Sequence, residues 1–245
     1  MNDIGSQFLR ETHIRMISKS PQQLKQPQPP LELPYPVDAP LLDLPVPQTL
    51  AFPALDVRAA IEERASHRRY RTDPYTLAEL SFLLWCTQGV KAVTDRPVTL
   101  RTVPSAGARH AFETYLLVNR VEGVAPGLYR YIALEHALLA VDLSDDINAR
   151  LTEACDQSMV GNSAVAFFWT AVLERMTWRY VERGYRYLFL DAGHVCQNLY
   201  LAAEVIGAGV CAIAYFDDDL LNQALKLDGE NTFVVYAAST GKKVE

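Results

Sequence analysis

Hydrophobic positions along this chain are spaced in three ways, and each spacing predicts a different element. Leu55, Val57, Ile61 and Ala65 recur near helical spacing across 53–67, with Pro53 close to the start, where its missing donor is tolerated. That helix would deliver Arg64, Ser66 and Arg68 at its C-terminal end. A second helix begins at Thr76, with Glu79 three residues on as a capping-box partner, and runs through Leu80, Leu83, Leu84 and Gln88 to Gly89. The longest apolar set, from Leu188 through Ala192, Val195, Leu199 and Ala203 to Ile206, predicts a helix over 184–207. Its broad face suits a core or a dimer interface.

Strand patterns fill the gaps. Residues 114–118 and 127–131 read as strands joined through a Gly/Pro-containing turn, and the unbroken apolar run 165–172 as a strand buried on both faces at the centre of a sheet. After Gly207-Ala208-Gly209 ends the long helix, 210–215 returns as a strand, 218–225 makes a short helix and 232–238 is the last strand. Asp217, Asp218 and Asp219 fit the positive end of that short helix better than a metal site. Helices and strands without regular βαβ units predict an α+β fold, with one domain over 53–245.

The first 52 residues break every pattern. Proline crowds the stretch 20–47, removing backbone donors and favouring extended conformations, while Leu41, Leu42, Leu44 and Val46 supply apolar anchors. Besides a loose leader, this suits an arm laid over the body or across a partner subunit.

At 245 residues and 49% hydrophobic the chain can bury one sizeable core. A net charge of -6 offers no global attraction to nucleic acid or anionic membrane, so any anion site must be a local cluster of Arg and Lys. Cys86, Cys155, Cys196 and Cys211 are too widely spaced for a zinc site and read as small buried hydrophobes. With neither a signal segment nor a membrane-length apolar run, the expectation is a cytoplasmic protein.

Three basic or glycine-containing segments carry candidate chemistry. Arg64 and Arg68, four apart on one helix face with Ser66 beside them, suit phosphate or a flavin edge, or else form a solvated helix end. Pro104-Ser105-Ala106-Gly107 lets backbone approach a flat ligand, or is an ordinary turn. Lys242 and Lys243 follow the last strand, near the sheet edge. Between the apolar strand and the long helix, 174–187 alternates aromatics with arginines, suited to stacking on a planar substrate or to a salt-bridged junction. His194 reads as a packing or hydrogen-bonding residue. No dinucleotide fingerprint, catalytic triad or zinc-hydrolase motif is present.

An ordered series joins these pieces: Arg183-Gly184-Tyr185-Arg186-Tyr187, then Asp191-Ala192-Gly193-His194-Val195-Cys196-Gln197-Asn198-Leu199, Gly207-Ala208-Gly209 and Phe216-Asp217-Asp218. Over about residues 53 to 243 the chain resembles the nitroreductase superfamily, in particular its branch related to the azoline dehydrogenases of modified-peptide biosynthesis. The resemblance implies a mainly antiparallel sheet flanked by helices, an intertwined homodimer and FMN at the dimer interface, with NADH or NADPH as electron donor. It assigns Arg64, Ser66 and Arg68 to the flavin's N-terminal motif, and Pro104, Ser105, Ala106 and Gly107 to its ring and ribityl chain. Lys242 and Lys243 fall near the phosphate, and the backbone of Ala214 and Tyr215 near N5. The implied acceptor is a small planar nitroaromatic or quinone; the alternatives are a modified peptide oxidised with partner proteins, or flavin binding without catalysis. Arg179 and Tyr180 stand where the azoline dehydrogenases carry a Lys-Tyr pair, and arginine stays protonated. Tyr215 also departs from the small residue usual there.

Overall fold

The computed structural model describes residues 3–244. The N-terminal region contributes helix α1 (Ile4–Glu11) and strand β1 (Leu41–Asp43). Then come α2 (Val57–Glu63), α3 (Leu77–Gln88), a small hairpin of β2 (Val90–Val93) and β3 (Thr99–Arg101), and the meander β4 (Phe112–Val118), β5 (Gly127–Ile132), β6 (Ala137–Asp142). Helices α4 (Ile147–Cys155) and α5 (Ser158–Asn162) lead to β7 (Val165–Val172), α6 (Leu173–Tyr180) and the long α7 (Gly184–Val205). β8 (Ala208–Ile213), α8 (Asp218–Ala224) and β9 (Thr232–Lys242) complete the chain. The main sheet runs β1-β6-β5-β4-β7-β9-β8, antiparallel at every pairing.

β7 shows why this sequence needs two layers of helices. Its side chains alternate across the sheet: Phe167, Trp169 and Ala171 join Leu80, Leu84, Leu188 and Leu199 of α3 and α7, whereas Ala166 and Phe168 join Leu151, Val160 and Leu221 of α4, α5 and α8. Both faces are therefore apolar and both are covered, as the unbroken run requires. Fully burying each of these large side chains is worth about 1.5–3 kcal/mol. The capping box at Thr76 and Glu79 forms as expected, and Asp217 caps α8 by accepting from the Leu220 amide at 2.9 Å. Cys155, Cys196 and Cys211 are buried and Cys86 partly so; burial alone pushes the Cys86 thiol up to about 11.

Three expectations are corrected. The first helix spans only Val57–Glu63, because the chain turns extended at Arg64 (ψ 123°) and Ser66 then bridges to Val210 of β8. Tertiary strand pairing overrides local helical spacing there. β8 ends at Ile213 rather than 215, leaving Ala214 and Tyr215 exposed. β9 continues to Lys242 rather than stopping at 238, because Ala208–Ile213 supplies it with partners out to the Ala208–Lys242 pair.

The proline-rich arm lies over its own body. β1 pairs with β6, Leu44 is buried, and between Thr12 and Pro34 the arm's backbone is gripped by side chains of α6, β5 and Arg183 in the turn before α7. Among the described residues no helix is long and apolar enough to cross a membrane.

Candidate active site

The segment after α2 is extended, so Arg64, Ser66 and Arg68 share a side by the two-residue period of a strand rather than by a helix turn. It docks against β8 through the His67 amide, which donates to Val210 O at 2.9 Å. Gly209 makes this approach possible: a Cβ there would lie 2.6 Å from that of His67. Tyr200 of α7 organises the edge. Its hydroxyl accepts the Ala212 amide at 2.9 Å and hydrogen-bonds Ser66 Oγ at 3.0 Å, while the Arg64 guanidinium sits 5.3 Å over its ring. Among the described residues neither Arg64 nor Arg68 has a carboxylate partner. Two unneutralised guanidiniums beside an exposed serine are an anion site in chemical terms.

Lys242 and Lys243 adjoin this segment, since Arg71 N donates to Lys242 O at 3.0 Å and Tyr70 bridges to Lys243. Their ammonium groups, however, pair with Glu79 and Glu204. Those carboxylates neutralise the lysines, which leaves the arginines as the free positive charge.

The Pro104–Gly107 loop belongs to a second cluster. Ser105 Oγ donates to Asp191 Oδ2 at 2.6 Å, the Ala106 amide donates to Oδ1 at 3.1 Å, and Ser105 Oγ in turn accepts the His110 amide at 2.9 Å. Burial pushes the Asp191 carboxyl above its ordinary range, against the pull of these hydrogen bonds. Gly107 has φ +58° and faces α6, where a Cβ would strike the Tyr180 hydroxyl and lie 2.9 Å from Arg179 Nε. Backbone conformation and space both require glycine there. Tyr180 stacks edge-on to Tyr187 at 4.7 Å, and Arg179 lies 5.6 Å from the Tyr180 ring. The aromatic–arginine run thus stacks mainly on itself; Arg109 over Trp178 at 5.0 Å and Arg183 over Tyr187 at 5.5 Å continue the pattern. Its one buried salt bridge is Arg175 to Glu113 at 2.6 Å.

Both clusters are mounted on α7, one at Asp191 and one at Tyr200. Nine residues of helix separate them by roughly 13 Å along the axis. His194 and Gly193, between the two, are exposed, so His194 faces outward instead of packing. Phe189 and Leu190 are also outward, at 58% and 60% exposure. Ala214 and Tyr215 lie beyond β8, with Tyr215 at 70% exposure. Sequence reading gave no role of their own to Asp191 and Tyr200. Asp191 was detectable, because at three residues from Leu188 and four from Val195 an acid falls on the apolar face of a helix and needs a partner there.

Comparison with known proteins agrees with this architecture. The nitroreductase family model matches residues 61–242. A presumed nitroreductase of Methanocaldococcus jannaschii is 34% identical over 184 residues, covering 75% of this chain and 89% of that protein. The trifolitoxin-processing protein TfxB of Rhizobium leguminosarum bv. trifolii is 32% identical over 133 residues, which are 52% of this chain and 36% of TfxB. This second match lies on the side of the family to which the motif series points. Among solved structures, a nitroreductase-type protein of Ralstonia eutropha superposes with a TM-score of 0.69 at 21% identity, covering 89% of this chain and 99% of that one. Another, from Desulfovibrio desulfuricans and in complex with FMN, gives 0.55 at 15% identity over 79% and 89% of the two chains. With the family model spanning 61–242 and a relative 34% identical along most of its own length, the chain belongs to the nitroreductase family.

Proposed function

We propose that this protein is an FMN-dependent oxidoreductase that takes electrons from NADH or NADPH and passes them to a small planar acceptor such as a nitroaromatic or quinone. The observation that carries the reading is the pair of unneutralised guanidiniums, Arg64 and Arg68, aligned with Ser66 along an extended segment at the β8 edge. These residues fit a phosphate, and Lys242 and Lys243 join them only by exchanging their carboxylates. The Pro104–Gly107 loop, flat and side-chain-poor on its exposed side, fits a ring and ribityl chain. Bound FMN supplies hydride transfer at N5.

The chain's own residues then have separate tasks. Asp191 fixes the loop, Gly107 lets it pack against Tyr180 and Arg179 of α6, and Ala214 and Tyr215 extend exposed from the end of β8. Arg179 holds positive charge beside Tyr180 and accepts no proton. Tyr180, whose hydroxyl has no hydrogen-bond partner among the described residues, would donate to the acceptor the proton that accompanies hydride transfer. By the family resemblance, the complete site is assembled from two copies of the chain in a homodimer. The exposed Phe189 and Leu190, and an apolar cavity of about 340 Å³ between α2, α3 and α7, form the face that a second copy would cover.

Anaerobic titration of the purified protein tests this reading: bleaching of a flavin spectrum by NADH or NADPH is expected, and an unreactive spectrum counts against it. Arg64→Ala with Arg68→Ala removes two charge-assisted contacts and is expected to weaken FMN about 100-fold or more, while undiminished flavin retention would overturn the site assignment. A second reading, oxidation of azolines in a modified peptide, is favoured by the match to TfxB. It predicts that a peptide substrate reduces the flavin directly, with no nicotinamide.

A further inference from the structure

After a turn over 21–25, the arm runs antiparallel to α6 from Gln26 on, in a channel whose walls read main chain. Trp178 Nε1 donates to Gln26 O at 3.1 Å, Arg175 Nε to Pro30 O at 2.8 Å, and an Arg130 terminal nitrogen to Leu33 O at 3.0 Å. Glu113 Oε1 accepts the Leu33 amide at 2.8 Å, and the Gln22 amide donates to Trp178 O at 2.9 Å. Apart from Glu32, which accepts the Ala133 amide, and Gln28, which reaches Pro97 O, the arm's own side chains take little part in these bonds. Proline supplies carbonyls and no donors, so the channel is lined with donors spaced along an extended chain.

The arm closes this channel sterically but leaves some of its donors unpaired. Arg109 and Arg175 are 6% and 3% exposed, yet Arg109 Nε and Arg175 Nη1 have no hydrogen-bond partner. Both residues line a slot roofed by Gln28–Leu31 that is too narrow for a water molecule. A strap that had only to close this surface would gain by satisfying them. Leftover donors in a backbone-reading channel mark a site that accepts more than one peptide. The channel also leads to the candidate active site: α6 turns Arg175 and Trp178 toward the arm, and Arg179 and Tyr180 follow directly.

We propose that this channel is a binding site for an extended, proline-containing peptide read through its carbonyls, and that the arm is its resident, displaceable occupant. The inference stands apart from the flavin reading, because binding is measured without turnover. The test uses full-length protein and a fluorescein-labelled synthetic peptide copying residues 24–36, followed by fluorescence anisotropy. Glu32→Ala loosens the arm without altering Trp178, Arg175, Arg130 or Glu113, and is expected to bind the peptide roughly tenfold more tightly than the native chain, whose tethered arm competes. Leu33→Pro, which removes the N–H that Glu113 accepts and also constrains the backbone at Glu32, is expected to act in the same direction and serves if Glu32→Ala folds poorly. Adding Trp178→Phe to either variant is expected to lower the affinity again. Absence of saturable binding to both loosened variants, or binding indifferent to Trp178→Phe, would overturn the proposal and leave the arm as a strap alone.

Discussion

From Thr12 to Leu44 the chain buries three side chains, Thr12, Ser20 and Leu44, whereas all eight residues of β7 are buried. The arm is held instead by polar grips on its main chain, from Arg183 on Thr12 O to Arg130 on Leu33 O. Apolar burial is collective, so the sheet and its helices should unfold as one unit. Discrete hydrogen bonds worth about 0.5–1.5 kcal/mol each can be released one at a time. A region built the second way can detach while the first stays folded.

The sharpest test of the difference is a cavity in the body. Trp169 is fully shielded on β7, and Trp169→Ala is expected to cost about 3–5 kcal/mol, read as a lower urea midpoint of one cooperative transition. A loss below 1 kcal/mol would mean that the two cores around β7 are not the source of cooperativity. The seam between the regions comes next. Glu113 and Arg175 are each 3% exposed, and Glu113 also accepts the Leu33 amide. Glu113→Gln leaves a buried guanidinium uncompensated and is expected to cost about 3 kcal/mol while making the arm sensitive to protease. Unchanged proteolysis of residues 20–40 would show that the arm is anchored elsewhere.

The two regions also differed in how far they could be read from sequence. The capping box at Thr76, the apolar run of β7 and the apolar face of α7 are local patterns, and each element forms where its pattern lies. The extended course of Arg64–Arg68 is set by β8, more than 140 residues away, and no window of sequence contains that partner. β9 likewise runs past 238 because β8 supplies its edge. α4 carried a readable signal in Ile147, Leu151, Ala154 and Cys155 that the sequence reading did not use. In the arm, the prolines show where donors are missing but not which side chains grip the carbonyls. At the site, motif residues were legible by type, while the neutralisation of Lys242 and Lys243 by Glu79 and Glu204 depends on packing alone.

A pH experiment separates the regions at smaller scale. Burial, reinforced by the charges of Arg101 and Arg109, pulls His110 in the body from its ordinary value near 6.5 down to about 3. Above pH 6.5 it is neutral folded and unfolded; as pH falls from 6.5 toward 3 only the unfolded chain binds the proton, so stability is lost across that window. One such proton contributes a slope of about 1.4 kcal/mol per pH unit. His110→Gln is expected to flatten the acid limb of body stability by that amount without changing how readily the arm is released. An unchanged slope would mean that His110 is already solvated.

The smallest effects give the finest discrimination, because two helix caps of the same chemistry sit in the two regions. Asp217 caps α8, whose Leu221 and Ala224 are buried in the body, and Asp3 caps α1, which buries none of its residues. Asp217→Ala removes the acceptor for the Leu220 amide and is expected to cost about 1 kcal/mol in the cooperative transition. Asp3→Ala removes the equivalent acceptor for Ser6, and the same midpoint is expected not to move, because α1 is not part of the unit whose unfolding is measured. Equal shifts from both substitutions would place α1 inside the cooperative unit and erase the mechanical distinction between arm and body.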